Sequence, residues 1–375
     1  MIRFVLCVPV LFCLAACSGN ESADNSGSGH PANGQAAASL SLPKVLEVFE
    51  IGQDVYARAL AVDEKNNSLW VGTSVGVQEV DLDTRQVKRT VTRKEGLANE
   101  YVFAIFVDRQ GRKWFGTNGG GMSRYDNTDW KTFFPMHGLA DYWVYSIGEQ
   151  SSGALWVGTW AGVNRIDPVS HAMTTYVKEL INEWVYGIAV DQEDRVWFGT
   201  EGGVSMFDGS RWRSWNHDDG LGAPNRQHLP ISPNTGLGTR SRHNLDVLVN
   251  GRETYNPNYV FCMVAASDGS MLAGTWGGGV SRYDGDHWSN LTTRDGLAGD
   301  IVFSMVEDKK GVLWFGTNKG LSRYDGKTWQ TIDREQGLDD DHVYALAAAP
   351  DGTIWAGTKD GVARIGTAVA AGQTR

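Results

Sequence analysis

The sequence predicts an all-β fold, a seven-bladed β-propeller of four-stranded antiparallel blades. Three observations predict it. A short unit with a Trp-x-Gly-Thr core recurs at Trp70–Thr73, Trp114–Thr117, Trp156–Thr159, Trp197–Thr200, Trp314–Thr317 and Trp355–Thr358, and a seventh copy, Leu272–Thr275, lacks the tryptophan. The threonines that end these copies, Thr73, Thr117, Thr159, Thr200, Thr275, Thr317 and Thr358, are spaced 44, 42, 41, 75, 42 and 41 residues apart. A fixed period of this length marks a repeat architecture rather than two or three ordinary domains. Within each period, four short runs are bounded by Gly, Asp and Asn turns, which reads as four strands. Four antiparallel strands repeated radially make a propeller blade.

Taken in order, residues 1–16 read as a signal peptide. Phe4–Ala16 is nearly all apolar and follows Arg3, but it is short of the ~20 residues that a membrane span needs. It ends in Leu14-Ala15-Ala16-Cys17, which resembles the lipobox of bacterial lipoproteins. That resemblance implies cleavage before Cys17 and a lipid on it. Ser18 follows in place of an aspartate, which implies the periplasmic face of the outer membrane. Residues 17–42, rich in Gly, Ser, Ala and Asn without apolar periodicity, read as a tether with a reach of about 25–30 Å.

The propeller is expected over 43–366, with an insertion at 222–258 and a polar tail at 367–375. Blade two shows the pattern. Val102–Val107 is strand a, Lys113–Thr117 strand b, Gly121–Tyr125 strand c and Trp130–Phe134 strand d. The last repeat lacks a strand d, and an orphan strand, Val45–Glu50, precedes the first. The orphan fits the empty place, so it is expected to clasp the two ends of the ring and remove an open edge. The six tryptophans of the b strands, and Trp130, Trp212, Trp288 and Trp329 opening d strands, are expected in the core. The Gly of each Gly-Thr should permit close approach of neighbouring backbones, and the Thr hydroxyl should satisfy a nearby backbone group. Cys262, within the apolar run Phe261–Val264, should be a buried small hydrophobe.

The pattern Asp-x-x-Gly-x-Leu-Trp-x-Gly-Thr-x-x-Gly-Val-x-x-Tyr-Asp resembles the two-component regulator propeller repeat, over about Val45–Ile365. That repeat builds sensor heads of hybrid histidine kinases and is similar in turn to streptogramin lyase propellers. The resemblance implies a sensor-like binding role, with a lyase-type enzyme as the alternative.

In a propeller, the d-to-a connections and b–c turns emerge on one face, and both variable features of this chain fall there. One is the insertion, where Leu245–Val249 and Arg252–Asn256 read as a hairpin around Asn250-Gly251. Arg226, His228, Arg240, Arg242 and His243 cluster before that hairpin. The other is the column preceding the first Val of strand a: Asp54, Tyr101, Trp143, Trp184, Tyr259, Ile301 and His342. The b–c turns add Trp160 and Trp276. Aromatic and polar groups mixed at a concave mouth suit flat ligands such as sugars. The ligand-binding candidates are therefore Tyr101, Trp143, Trp160, Trp184, Arg240, Arg242, Tyr259, Trp276 and His342. Packing between blades is the competing reading for these rings.

No His-x-x-x-His or Cys-x-x-Cys pattern occurs, so no metal, cofactor or catalytic residue is assigned. The net charge of −10 argues against nucleic acid, whose affinity rests on phosphate neutralisation. The expected partner is a small molecule, a glycan or an envelope protein. The membrane is met only through the lipid, and the propeller is expected to be a monomer. A scaffold holding a partner protein is a third reading.

Overall fold

The computed structural model describes residues 42–52, 55–232 and 254–367. They form seven antiparallel sheets of four strands each. In six of them the strands follow chain order from the axis outward, as in Val102–Val107, Lys113–Thr117, Met122–Tyr125 and Trp130–Phe133 of blade two. Each innermost strand packs on those of the blades before and after it, and that of blade seven, Val343–Ala348, packs on Ala57–Asp63 of blade one. The ring is closed, as the repeat count predicts.

The seventh sheet is completed by Lys44–Glu50, paired antiparallel to Gly361–Gly366 with Lys44 opposite Gly366 and Glu50 opposite Gly361. This is the expected clasp. Phe49 stacks on Trp355 with ring centroids 5.4 Å apart. Glu47 accepts from Arg364 at 3.1 Å and pairs with Arg85 of blade one, also at 3.1 Å.

The repeated residues act as their chemistry suggests. A Cβ built on Gly72, Gly116, Gly158, Gly199, Gly274, Gly316 or Gly357 would lie 2.6–2.9 Å from a side-chain carbon of the residue opening the next blade's inner strand. For Gly357 that residue is Ala57, across the closure. All seven threonine hydroxyls donate to a carbonyl of their own b–c turn, Thr117 to Gly121 at 2.8 Å for example. The six b-strand tryptophans are buried. Their indoles add a bond that spacing alone does not announce. Trp114, Trp197 and Trp314 donate to the first aspartate of the preceding turn, Asp108, Asp191 and Asp308, and Trp156 donates to Gln150. The four strand-d tryptophans are half-buried rather than core, because the outermost strand has solvent beyond it. Cys262 is partly buried, and desolvation pushes its thiol up to about 12.

One polar contact inside the ring belongs to a single blade interface. Lys113 of blade two is 1% exposed. Its ammonium donates to Asp63 of blade one at 2.9 Å, to the Gly111 carbonyl at 3.0 Å and to Asn127. It also lies 5.7 Å from the Trp70 ring centroid and 5.6 Å from that of Tyr125. Burial alone would raise the Asp63 carboxyl. Hydrogen bonds from Asn66 and Lys113, with the Lys113 charge, outweigh it and hold Asp63 below its ordinary value. A depressed carboxyl contributes stability above its unfolded value, and that contribution is lost as pH falls through the folded one. Lys113→Met leaves Asp63 buried without its cation and should cost about 3–5 kcal/mol at neutral pH. Urea unfolding should show the gap between variant and parent narrowing as pH falls, because the carboxyl of the variant, buried without its cation, takes up its proton at a higher pH than that of the parent. A pH-independent gap would contradict this account.

Candidate functional site

The face carrying the d-to-a connections is shaped first by a defect repeated in every inner strand. Pairing with strand b slips beside the opening residue of each blade, between Ala57 and Ala59, Val102 and Ala104, Val144 and Ser146, Val185 and Gly187, Val260 and Cys262, Val302 and Ser304, and Val343 and Ala345. A bulge turns the skipped side chain away from the ladder. The seven skipped residues are Arg58, Phe103, Tyr145, Tyr186, Phe261, Phe303 and Tyr344, and with Tyr259 they line a cavity of about 80 Å³ on the axis. Reading by the residue before each valine overlooks this layer. The signal is nonetheless in the sequence, where an aromatic directly follows the opening valine in six blades.

The column expected at the mouth lies two residues earlier and forms the next layer. In blade one its member is Tyr56, not Asp54: Ala57 pairs with Thr73 as Val102 pairs with Thr117, so the true inner strand starts two residues after Val55. Asp54 itself lies outside the described residues. Tyr56 and Tyr101 share a 2.6 Å hydroxyl hydrogen bond.

The layer divides into sealed and open parts. Trp160 is 3% exposed and stands between Trp143 and Trp184, with centroids 4.9 and 4.6 Å away and planes 13° and 18° apart. Its indole donates to the Tyr186 hydroxyl at 3.2 Å. Trp276, 1% exposed, donates to Thr254 at 2.8 Å and stacks on Tyr259. Trp160, Trp184, Tyr259 and Trp276 are thus packed into one buried aromatic cluster, not presented to solvent on turns. A flat ring flanked by rings of neighbouring turns buries more area than it would standing free. Desolvation, with the nearby Glu201 carboxylate second, raises Tyr259 well above the usual phenol range, and burial raises Tyr145 and Tyr186 likewise. Tyr56, Tyr101, Trp143 and His342 remain half-buried at the mouth. His342 Nδ1 lies 2.9 Å from Asp340, whose carboxyl burial would raise but which the His342 side-chain and backbone hydrogen bonds hold down.

The root of the insertion builds the second feature. Ala223 N donates to Gly278, Tyr255 Oη donates to the Ala223 carbonyl, and Tyr255 exchanges backbone bonds with Pro230 and Ser232. The inner strand of blade five is longer than expected, Asn256–Ala265, and Asn256 pairs with Trp276 of its own blade. The rest of the expected hairpin, and Arg240, Arg242 and His243, lie outside the described residues, as do Cys17 and the tether. Between this root and the connection Thr292–Asp300 runs a groove of about 360 Å³, lined by Asn225, Arg226, Asn290, Thr293, Arg294 and Asp300 among others. A smaller cavity of about 30 Å³ shares Gln227, Leu229, Gly277, Thr293 and Asp300 with it and reaches Ile301 of the mouth column. Among the described residues, the side chains of Arg226 and Arg294 make no hydrogen bond or ion pair. Asp300 is held by the backbone amide and hydroxyl of Thr293. No group of His, Cys, Asp and Glu suited to a metal occurs among the described residues, and no helix among them is long and apolar enough to cross a membrane.

The family described as two component regulator propeller matches residues 96–119, 179–202, 296–319 and 337–360. These segments end in the b–c turns of blades two, four, six and seven. Among solved structures, the chain is similar to the extracellular domain of a protein assigned as a hybrid two component system of B. thetaiotaomicron, at 22% identity and a TM-score of 0.67. That match covers 84% of this chain and 39% of the other, so this chain spans about two fifths of that domain's length. A catalytically inactive variant of virginiamycin B lyase from Staphylococcus aureus, solved with quinupristin, matches at 14% identity and a TM-score of 0.62, covering 88% of this chain and all of the other. The WD40 β-propeller domain of Doa1 matches at 11% identity and a TM-score of 0.58 over 86% of this chain and 96% of that one. At these identities the likenesses establish the fold. No curated protein sequence matches the chain.

The stacked tryptophans generate a prediction about stability. Trp160→Ala removes the middle ring of the stack and a buried hydrogen bond, and should cost about 3–5 kcal/mol. Trp143→Ala, at the half-buried end, should cost clearly less. Chemical denaturation of both variants measures the difference, and equal losses would contradict the sealed-and-open division.

Proposed function

Because this chain belongs to the two-component regulator propeller family, we propose that it is a sensor-like, extracytoplasmic binding propeller, tethered by a lipid on Cys17 at the periplasmic face of the outer membrane. Its ligand is a polar small molecule of the carbohydrate class. The observation that carries this reading is the polar groove between the insertion root and Thr292–Asp300, on the same face as the half-buried Tyr56, Tyr101 and Trp143. The amides, hydroxyls, carboxylates and two guanidinium groups of the groove can meet the hydroxyl edge of a sugar, and the open rings of the mouth can meet an apolar face. With Trp160 and Trp276 packed away, contact with the ligand falls to the groove and the open part of the mouth. The extracellular domain that this chain resembles supports the sensor-like role.

A second reading, a lyase-type enzyme, has one observation in its favour: His342 at the mouth, with a ring nitrogen set by the buried Asp340 carboxylate. This is how a general base is oriented.

Glycan-array binding by the purified chain separates the two. A binding propeller should retain a glycan without turnover, and Arg294→Ala or Trp143→Ala should each weaken retention about tenfold, the scale of a single anchoring side chain. Absence of glycan retention, or retention indifferent to both variants, would overturn the carbohydrate reading. Product release that is lost in a folded His342→Ala variant would establish the enzyme instead.

A further inference from the structure

Of the seven bulge residues around the axis, six are aromatic and the seventh is Arg58. Its guanidinium lies 5.0 Å from the Tyr344 ring centroid and 5.6 Å from that of Phe103, between the bulge residues of both neighbouring blades. Among the described residues its side chain makes no ion pair and no hydrogen bond, and those ring faces are its partners. A guanidinium cannot shed its charge by deprotonation. Drawn out of bulk water, it carries a desolvation cost that ring faces offset only in part. Its positive charge reaches across the channel to the Tyr145 and Tyr259 hydroxyls. The cavity it faces has a volume of about 80 Å³. That is ample room for ordered water or for the three heavy atoms of a carboxylate.

We propose that the axial channel is a carboxylate-binding site in which the Arg58 fork donates to both oxygens of a ligand carboxylate. Planar, paired N–H···O bonds are the geometry that a guanidinium supplies and an ammonium does not. The aromatic walls suit a monoanion with an apolar or flat body and offer nothing to a strongly hydrated dianion. The site is separate from the groove between Arg226 and Arg294 and does not depend on what the groove holds. The carboxylate has two possible sources, a free short-chain acid or an acidic sugar that lowers its carboxylate through the mouth.

Isothermal titration of the full chain at pH 7 with acetate and glucuronate tests the site, with chloride at matched ionic strength and glucose as controls. Acetate should bind saturably while chloride and glucose give no saturable heat. Arg58→Gln should abolish the binding, and Arg58→Lys, which keeps the charge and loses the fork, should weaken it by about tenfold or more. Glucuronate tighter than acetate assigns the site to an acidic sugar, and glucuronate equal to or weaker than acetate assigns it to a free short-chain acid. No saturable heat with either carboxylate would overturn the proposal. So would unchanged affinity in Arg58→Lys folded by circular dichroism, the variant that decides should Arg58→Gln fail to fold.

Discussion

The ring depends on a contact too close for any side chain. At seven places the glycine of a b strand lets the next blade's inner strand lie directly on its backbone, and the seventh of these joins the last blade to the first. Blades that meet at this distance have little freedom in angle. Seven equal steps then close a circle, and the axial channel takes its width from them. The threonine after each glycine ties down the turn that follows, so the same dipeptide fixes both the blade interface and the rim above it. Everything at the mouth is mounted on that pair.

Architecture was legible in the sequence for this reason. Spacing among seven Gly-Thr pairs counts the blades directly, and an orphan strand matched to a missing one predicts the clasp. Side-chain exposure was less legible. Trp160 sits on a turn and Trp276 ends its strand where the turn begins, places where residues are usually exposed, yet each has rings from neighbouring segments against it, and a one-dimensional pattern does not show that these segments lean together. The four strand-d tryptophans erred the other way, since their repetition implies a core while their place at the perimeter leaves them half-open.

The channel layer was missed by two residues, one on each side of the opening valine. Strand alternation predicts that residues on either side of the opening valine face the same way, which makes the residue before it the natural one to choose. The bulge breaks the alternation and sends the following residue to the axis instead. Blade one compounds this, because Val55 imitates the opening valine two residues too soon and hides Tyr56 and Arg58. No local rule marks Arg58 as the exception in an aromatic column until the column itself has been aligned.

The clasp also orders events in time. Lys44 and Gly366 lie at opposite ends of the described chain and are neighbours in one sheet. No other pairing in the ring spans such a distance, and closing so large a loop is entropically the most demanding step of assembly. Blades built from local hairpins can form as the polypeptide emerges, whereas the circle cannot lock until its last strand is free to meet its first. A half-emerged chain is therefore an open arc with an unpaired edge, and whatever receives it must shield that edge until the final sheet is complete.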